Sequence, residues 1–172
     1  MPATYELIAT TTLSTTSAVE FSFNSIPATY TDLIITAQVS AQYTSADNSQ
    51  LCIRFNGDTG TNYSQTYING DGSSATSGRA SNTSTPSLGN LPLDTAPSAT
   101  KNLILIHIMN YSNTTTYKTW MFRNNRASLA VRQGVGLWRS TAAINSVSLR
   151  DLPGLYNLHS GSIFTLWGIA SA

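Results

Sequence analysis

Charged residues are scarce in this sequence: they make up 10% of its 172 residues, whereas an average soluble domain has about 25%. The formal net charge is only +1, and the isoelectric point is near 7.9. Proteins that bind nucleic acid through its phosphates need clustered lysine and arginine. The composition therefore argues against a nucleic-acid partner.

Residue types that support catalysis or bind metal ions are also rare. The chain has eight carboxylates and two histidines, His107 and His159, without the spacing of a metal motif or a paired-carboxylate cleft. Asp58 and Asp71 lie in turn sequences that offer oxygen ligands for Ca²⁺, but capping of an Asx turn explains the same residues better. We expect no catalytic residue, no cofactor and no bound metal, and hence a protein that is not an enzyme.

The sequence has little cysteine and no long apolar run. Its one cysteine, Cys52, excludes an internal disulfide. The amino-terminal residues lack the basic and apolar regions of a signal peptide, and no segment approaches the roughly 18 apolar residues of a membrane helix. We expect a chain that is made in the cytoplasm and does not insert into a membrane.

Serine and threonine, with 47 residues together, and asparagine, with 14, supply the polar groups instead. These side chains hydrogen-bond to their own backbone and weaken helices, while the branched Cβ of threonine suits a strand. Apolar and polar residues alternate along many segments, for example residues 33–41, and turn sequences separate these segments. We predict one domain over residues 1–172, an all-β, antiparallel, jelly-roll-like sandwich of about eight to ten strands.

Residues 69–99 interrupt this pattern. They are rich in Gly, Ser, Thr, Asn and Pro, with few apolar residues beyond Leu88, Leu91 and Leu93. We predict a long loop excursion at about 69–99. A loop of this length in a compact domain is often functional, and the alternative is a surface loop without a partner.

Two predicted strands, 103–109 and 163–169, are apolar on both faces. A sandwich covers only one face of each sheet, so the other face of these strands predicts a partner surface and a homo-oligomer. Arginine and tryptophan are enriched at interface centres. The candidate interface residues are Trp120, Arg123, Arg126, Arg132, Trp138 and Arg139. The alternatives are arginines that pair within their own subunit and tryptophans in the core.

Aromatic residues also raise the question of carbohydrate binding, because exposed rings beside Asn, Asp and Arg stack on sugars. Tyr63, Tyr67, Trp120 and Trp138 are the candidates. Aromatic residues on strands belong to a core or a subunit interface more often than to a sugar site. The sequence does not decide between these interpretations.

Five stretches that span most of the chain resemble one known domain. They are FNSIPATYTDLIITAQVSA (23–41), IRFNGDTGTNYS (53–64), MNYSNTTTYKTW (109–120), LWRSTAAINSVSL (137–149) and GSIFTLWGIA (161–170). Together they are similar to a recurring domain of virion structural proteins in tailed bacteriophages, notably phages of marine bacteria and cyanobacteria. The last two stretches are the most specific part of the resemblance.

This resemblance implies a structural component of a phage particle, made in the host cytoplasm and incorporated into the virion. Such domains occur in capsid decoration proteins and in tail fibres, which are commonly threefold, so we expect a homotrimer that contacts the major capsid protein or tail components. The sequence has no coiled-coil heptads or shaft repeats, which favours a decoration (cement) protein on the head surface. The alternative is a tail fibre or receptor-binding module that recognises a host surface glycan.

Overall fold

A computed structural model describes residues 4–16, 18–42, 49–94, 101–127, 129–152 and 154–170. Within these residues the chain forms fourteen strands and no helix. The strands are β1 (Tyr5–Thr12), β2 (Glu20–Phe23), β3 (Asp32–Val39), β4 (Ala41–Gln42), β5 (Gln50–Phe55), β6 (Tyr63–Gly70), β7 (Ala75–Thr83), β8 (Ser87–Asn90), β9 (Leu93–Asp94), β10 (Asn102–Met109), β11 (Lys118–Arg126), β12 (Ala130–Trp138), β13 (Val147–Asp151) and β14 (Ile163–Ile169).

The strands form two packed sheets of unequal size. Eight strands make an antiparallel sheet in the order β1-β14-β3-β10-β11-β12-β6-β7, and four make a second antiparallel sheet in the order β2-β13-β5-β8. The two-residue strands β4 and β9 form a small parallel pair. The chain crosses between the sheets repeatedly, as in jelly-roll arrangements. The predicted all-β antiparallel sandwich is confirmed, with more strands than the eight to ten that the sequence suggested.

The core lies between the two sheets and follows from the alternation of side chains along each strand. On β3, Leu33, Ile35, Ala37 and Val39 are all fully buried. At one end of the core Phe55, Tyr63, Trp120 and Trp138 form an aromatic cluster, in which the Tyr63 and Trp138 rings stack with centroids 6.3 Å apart.

The aromatic cluster needs a glycine on the neighbouring strand. A Cβ atom at Gly136 of β12 would lie 2.1 Å from the Trp120 ring, which is closer than real Cβ contacts. Gly136 is directly opposite Trp120 in the register of β11 and β12. Only glycine therefore lets the indole ring lie flat over β12.

The prediction of a loop excursion at about 69–99 is wrong for most of that segment. Residues 75–83 form β7, which pairs with β6 through a tight connection after Gly70, and residues 87–90 form β8. Residues 95–99 lie outside the described residues. The sequence signal was missing because β7 is an edge strand with no large apolar side chain, so backbone hydrogen bonds to β6 hold it rather than burial.

The connection between β6 and β7 is stabilised by Asp71. Its carboxylate accepts hydrogen bonds from the backbone N–H groups of Ser73 and Ser74 at 2.8 and 2.7 Å, and from both serine hydroxyls. These hydrogen bonds hold the pKa of Asp71 well below its usual range. Capping of the turn, rather than Ca²⁺ binding, thus accounts for Asp71.

Candidate interaction face

The side of the eight-stranded sheet that faces away from the four-stranded sheet is called the outer face below. Its side chains alternate along each strand with the buried ones, and the register aligns them in rows across the sheet. The row through the middle, called the middle row, runs from β1 to β7. Its residues are Leu7, Trp167, Ile34, His107, Met121, Val135, Thr66 and Arg79.

The outer face is rich in exposed apolar side chains. Among the described residues, ten large hydrophobic side chains are exposed, and seven of these belong to the outer face. They are Tyr5, Leu7, Ile68, Leu103, Met121, Val131 and Val135. Such side chains occur singly on most soluble proteins, whereas seven of them on one face of one sheet are typical of a surface that is covered by a partner.

Shallow grooves cross the outer face between the strands. One of them has a volume of about 530 Å³ and lies between Met109, Met121, Val135 and Leu137, on β10, β11 and β12. These four residues are all apolar and lie on three adjacent strands. The groove therefore offers space into which apolar side chains of a partner can insert.

Few charges interrupt this surface. His107 Nε2 lies 2.8 Å from Asp32 Oδ2, and Asp32 Oδ1 accepts a hydrogen bond of 2.7 Å from the backbone N–H of Asn110. Arg79 and Arg123 make no ion pair with another described residue. The outer face thus carries few charged groups: Asp32, which is paired with His107, and the guanidinium groups of Arg79 and Arg123.

The structure places the six candidate interface residues in three different environments. Arg123 lies on the outer face, where it is exposed opposite Gln133 of β12. Trp120 and Trp138 are core residues, with 0% and 2% of their surface exposed. Their assignment to a subunit interface is wrong, because both side chains point between the sheets and present no surface to a partner.

The remaining three arginines lie near the ends of the sandwich. Arg126 is half-buried at the end of β11. Arg139 donates hydrogen bonds to the Thr61 carbonyl, Ser64 Oγ and Asn82 Oδ1, so it pairs within its own subunit. Arg132 points to the inner side of the sheet and is described further below.

The aromatic candidates for a sugar site are mostly core residues as well. Tyr63 is fully buried beside the two tryptophans, and burial raises its pKa to about 12. Tyr67 is half-buried, with the Arg132 guanidinium 4.2 Å from its ring centroid. Only Tyr67 among these four remains near an accessible surface.

Sequence reasoning missed most of the outer face, although it identified both apolar sides of β10 and β14. Met121 and Val135 alternate with the buried residues of β11 and β12, which is a signal that the sequence contains. The sequence does not show that Met121 and Val135 share the middle row with Leu7 and Ile34, because that row depends on the order of strands in the sheet.

The described residues provide no obvious centre for chemistry. No three of their His, Cys, Asp or Glu side chains lie close enough together to hold a metal ion. Cys52 is fully buried, and this burial raises the pKa of its thiol to about 12. Cys52 therefore stays protonated and acts as a small apolar residue.

No protein-family model matches this chain, and no curated protein sequence matches it. In the part of the chain that the structure describes, no helix has the length and apolar character needed to cross a membrane.

Proposed function

We propose that this chain is a non-enzymatic structural protein of a tailed-phage virion, which assembles as a homotrimer through its outer face. The observation that carries the proposal is the middle row, in which five of the eight side chains are large and apolar and which has no covering layer within the described chain. The resemblance of five sequence stretches to virion proteins supports the assignment to a phage particle.

The size of the outer face supports association with further copies of the chain. Its eight strands have seven to nine residues each. With a strand spacing of about 4.8 Å and a rise of about 3.3 Å per residue, this gives a projected area of roughly 850 Å². One partner in a stable protein interface contributes about 800 Å². The face is thus large enough for lasting self-association.

The near absence of charge on the face also favours a second copy as the partner. Around a threefold axis the residues nearest the axis meet their own copies, so a strongly charged face at the axis would repel the other two copies. Here Asp32 is paired with His107, and the middle row carries a full charge only at its β7 end, at Arg79. The threefold number comes from the resemblance, because decoration proteins and fibre heads dock on threefold positions.

We place the trimer on the head as a decoration protein that contacts the major capsid protein, after synthesis in the host cytoplasm. A compact sandwich is sufficient for that role. A tail fibre or receptor-binding module that recognises a host surface glycan is the second candidate, and it is favoured by a polar cleft beside Arg132.

Light scattering on the purified chain tests the assembly. We expect a mass about three times the 18.4 kDa of the single chain at micromolar concentration. A mass of one chain under these conditions contradicts the proposal, and a mass of two contradicts the threefold number.

Negative-stain microscopy of phage particles labelled with an antibody to this chain tests its location. Labelled heads support decoration, and labelled tail tips support the fibre or receptor-binding alternative. Particles that bind no antibody, although the antibody recognises the folded chain, contradict a role on the virion surface.

A further inference from the structure

A polar cleft lies at one end of the sandwich, where the β6–β7 and β11–β12 connections approach the end of β8. Its volume is about 220 Å³. The side chains that matter here are the amides of Asn90 and Asn124, the hydroxyl of Thr76, the guanidinium of Arg132 and the apolar group of Leu129. The cleft therefore has hydrogen-bonding groups on some walls and apolar groups on another.

Arg132 is held rigidly in this cleft by three contacts. Its Nε donates a hydrogen bond of 2.6 Å to Asn69 Oδ1, its Nη1 donates one of 3.3 Å to Ser87 Oγ, and its guanidinium stacks 4.2 Å from the centroid of the Tyr67 ring. A fixed guanidinium loses little conformational entropy when a ligand binds. Arg132 is thus preorganised.

Gly89 of β8 makes this arrangement possible. Its φ is +111°, a conformation that favours glycine, and a Cβ there would lie 2.7 Å from Asn124 Nδ2 and 3.2 Å from Arg132 Cδ. Asn124 is itself fixed, because it donates to the Leu88 and Asn90 carbonyls and accepts from Asn102 Nδ2. The floor of the cleft is therefore preorganised, because Gly89, Asn124 and Arg132 are each held in one conformation.

The charge of Arg132 has no counterion within the described chain. No carboxylate lies within ion-pair distance of it, and burial lowers its pKa from the usual value. Asp71 lines the same cleft, but its oxygens are engaged by Ser73 and Ser74 in the β6–β7 connection. The Asn69, Ser87 and Tyr67 contacts compensate part of the desolvation of this half-buried cation, and an anion bound beside it would stabilise it further.

We infer that this cleft binds one acidic monosaccharide unit, a sugar ring whose carboxylate pairs with Arg132. A guanidinium matches the planar carboxylate geometry, and its Nη2 makes no hydrogen bond to a described residue. Asn90 and Thr76 line the cleft and can hydrogen-bond to sugar hydroxyls, and Leu129 can contact the apolar ring face. The inference does not depend on the proposed trimer.

Size and charge favour this ligand class over others. A cleft of about 220 Å³ has the volume of about seven water molecules, enough for a single ring and below the range of about 300–1,000 Å³ for larger ligands. Arg132 contributes one positive charge to the cleft that no carboxylate within ion-pair distance in the described chain balances. This charge matches a singly charged carboxylate better than a doubly charged phosphate.

Titration of the purified chain with glucuronate, followed by NMR or calorimetry, tests the inference. We expect saturable binding with a Kd on the order of 1 mM, as is usual for a ligand of this size. Glucose, which has no carboxylate, should bind at least tenfold more weakly. Absence of saturable glucuronate binding, or equal binding of glucose, overturns the inference. Tighter binding of inorganic phosphate or of an acidic peptide overturns the ligand class.

Two substitutions locate the binding to the cleft. Arg132→Gln removes the cation and should weaken glucuronate binding at least tenfold, whereas Arg123→Gln on the outer face should leave it unchanged. Asn90→Asp has nearly the same shape and adds a negative charge to the cleft, so it should also weaken glucuronate binding at least tenfold. This variant keeps the test valid if Arg132→Gln does not fold. Unchanged binding in a folded Arg132 or Asn90 variant overturns the site.

Discussion

The two faces of the eight-stranded sheet are made by the same strands but have opposite surroundings. On β11, Trp120 and Phe122 point inward and are buried, while their neighbours Met121 and Arg123 point outward and are exposed. Inward residues are held by the four-stranded sheet, which lies on one side only. The comparison shows that apolar character alone does not tell a core from an unpartnered surface.

The largest difference between the faces should appear in stability. Trp120→Ala removes a fully buried indole and leaves a cavity in the aromatic cluster, so we expect the free energy of unfolding to fall by about 3–5 kcal/mol. Met121→Ala, the adjacent residue on the outer face, should change it by less than about 0.5 kcal/mol in the separated subunit. Urea unfolding at low protein concentration measures both. Similar losses in the two variants would contradict the assignment of the faces.

The second difference concerns assembly. Val135→Asp places a carboxylate in the middle row, and burying it without a partner should weaken association by about 2–3 kcal/mol, which is roughly 30- to 150-fold. Leu155→Asp is the matched control, because Leu155 is equally an exposed apolar residue but lies away from the outer face. Sedimentation of the two variants gives the trimer fraction. Equal trimer fractions for Val135→Asp and Leu155→Asp would contradict the assignment of the outer face as the interface.

Trp138 provides a third, smaller test of the inner face. Its Nε1 donates a hydrogen bond of 2.7 Å to Asp58 Oδ2, which Phe cannot replace. Trp138→Phe should therefore lower the free energy of unfolding by about 1–2 kcal/mol without changing the trimer fraction. If the trimer fraction fell while the stability of the separated subunit stayed the same, Trp138 would have to be an interface residue and not a core residue.

The smallest effect is expected in the pH dependence. Burial alone would raise the pKa of Asp58, but hydrogen bonds from Trp138, Asn62 and Gly60 outweigh it and hold the pKa below its usual value. A depressed carboxyl pKa contributes stability above the unfolded value of about 3.9, which is lost as the pH falls through the folded value. The melting temperature of the Asp58→Asn variant should therefore decrease less than that of the parent between pH 7 and pH 3.

An NMR titration of Asp58 completes this test. In the Trp138→Phe variant the carboxyl group remains but its indole donor is gone, so its pKa should rise towards the usual value. If the pKa of Asp58 were the same in the parent protein and in the Trp138→Phe variant, the Trp138 hydrogen bond would not stabilise the carboxylate.

Some structural features were predictable because they depend on local patterns. The alternation from Leu33 to Ala41 correctly identified the buried side of β3, since successive side chains of a strand point to opposite faces. The edge strand β7 was missed for the same reason: it buries no large apolar side chain and leaves no periodic signal. Its pairing depends on β6 and on the Asp71 turn, which a pattern of burial does not reveal.

The candidate interface was predictable only in part. Apolar residues on both faces of β10 and β14 correctly indicated an outer surface that the second sheet leaves uncovered. The choice of Trp120 and Trp138 as contact residues was wrong, because preferences of residue types at interfaces do not distinguish the two sides of a strand. For Arg132, sequence indicated a buried or interfacial guanidinium, and the tertiary contacts with Asn69 and Tyr67 locate it in a cleft.

The sequence by itself determined the all-β class, the low charge and the two faces of the strands with clear alternation, because these depend on side-chain chemistry and a period of two residues. On strands that are apolar on both sides, only the tertiary structure decided which side became the core, and it alone decided which strands became neighbours. Leu7, Ile34 and Val135 share one row only because β1, β3 and β12 occupy particular places in the same sheet. Those places are set by long-range pairing and by the stacking of the second sheet, which no local segment encodes.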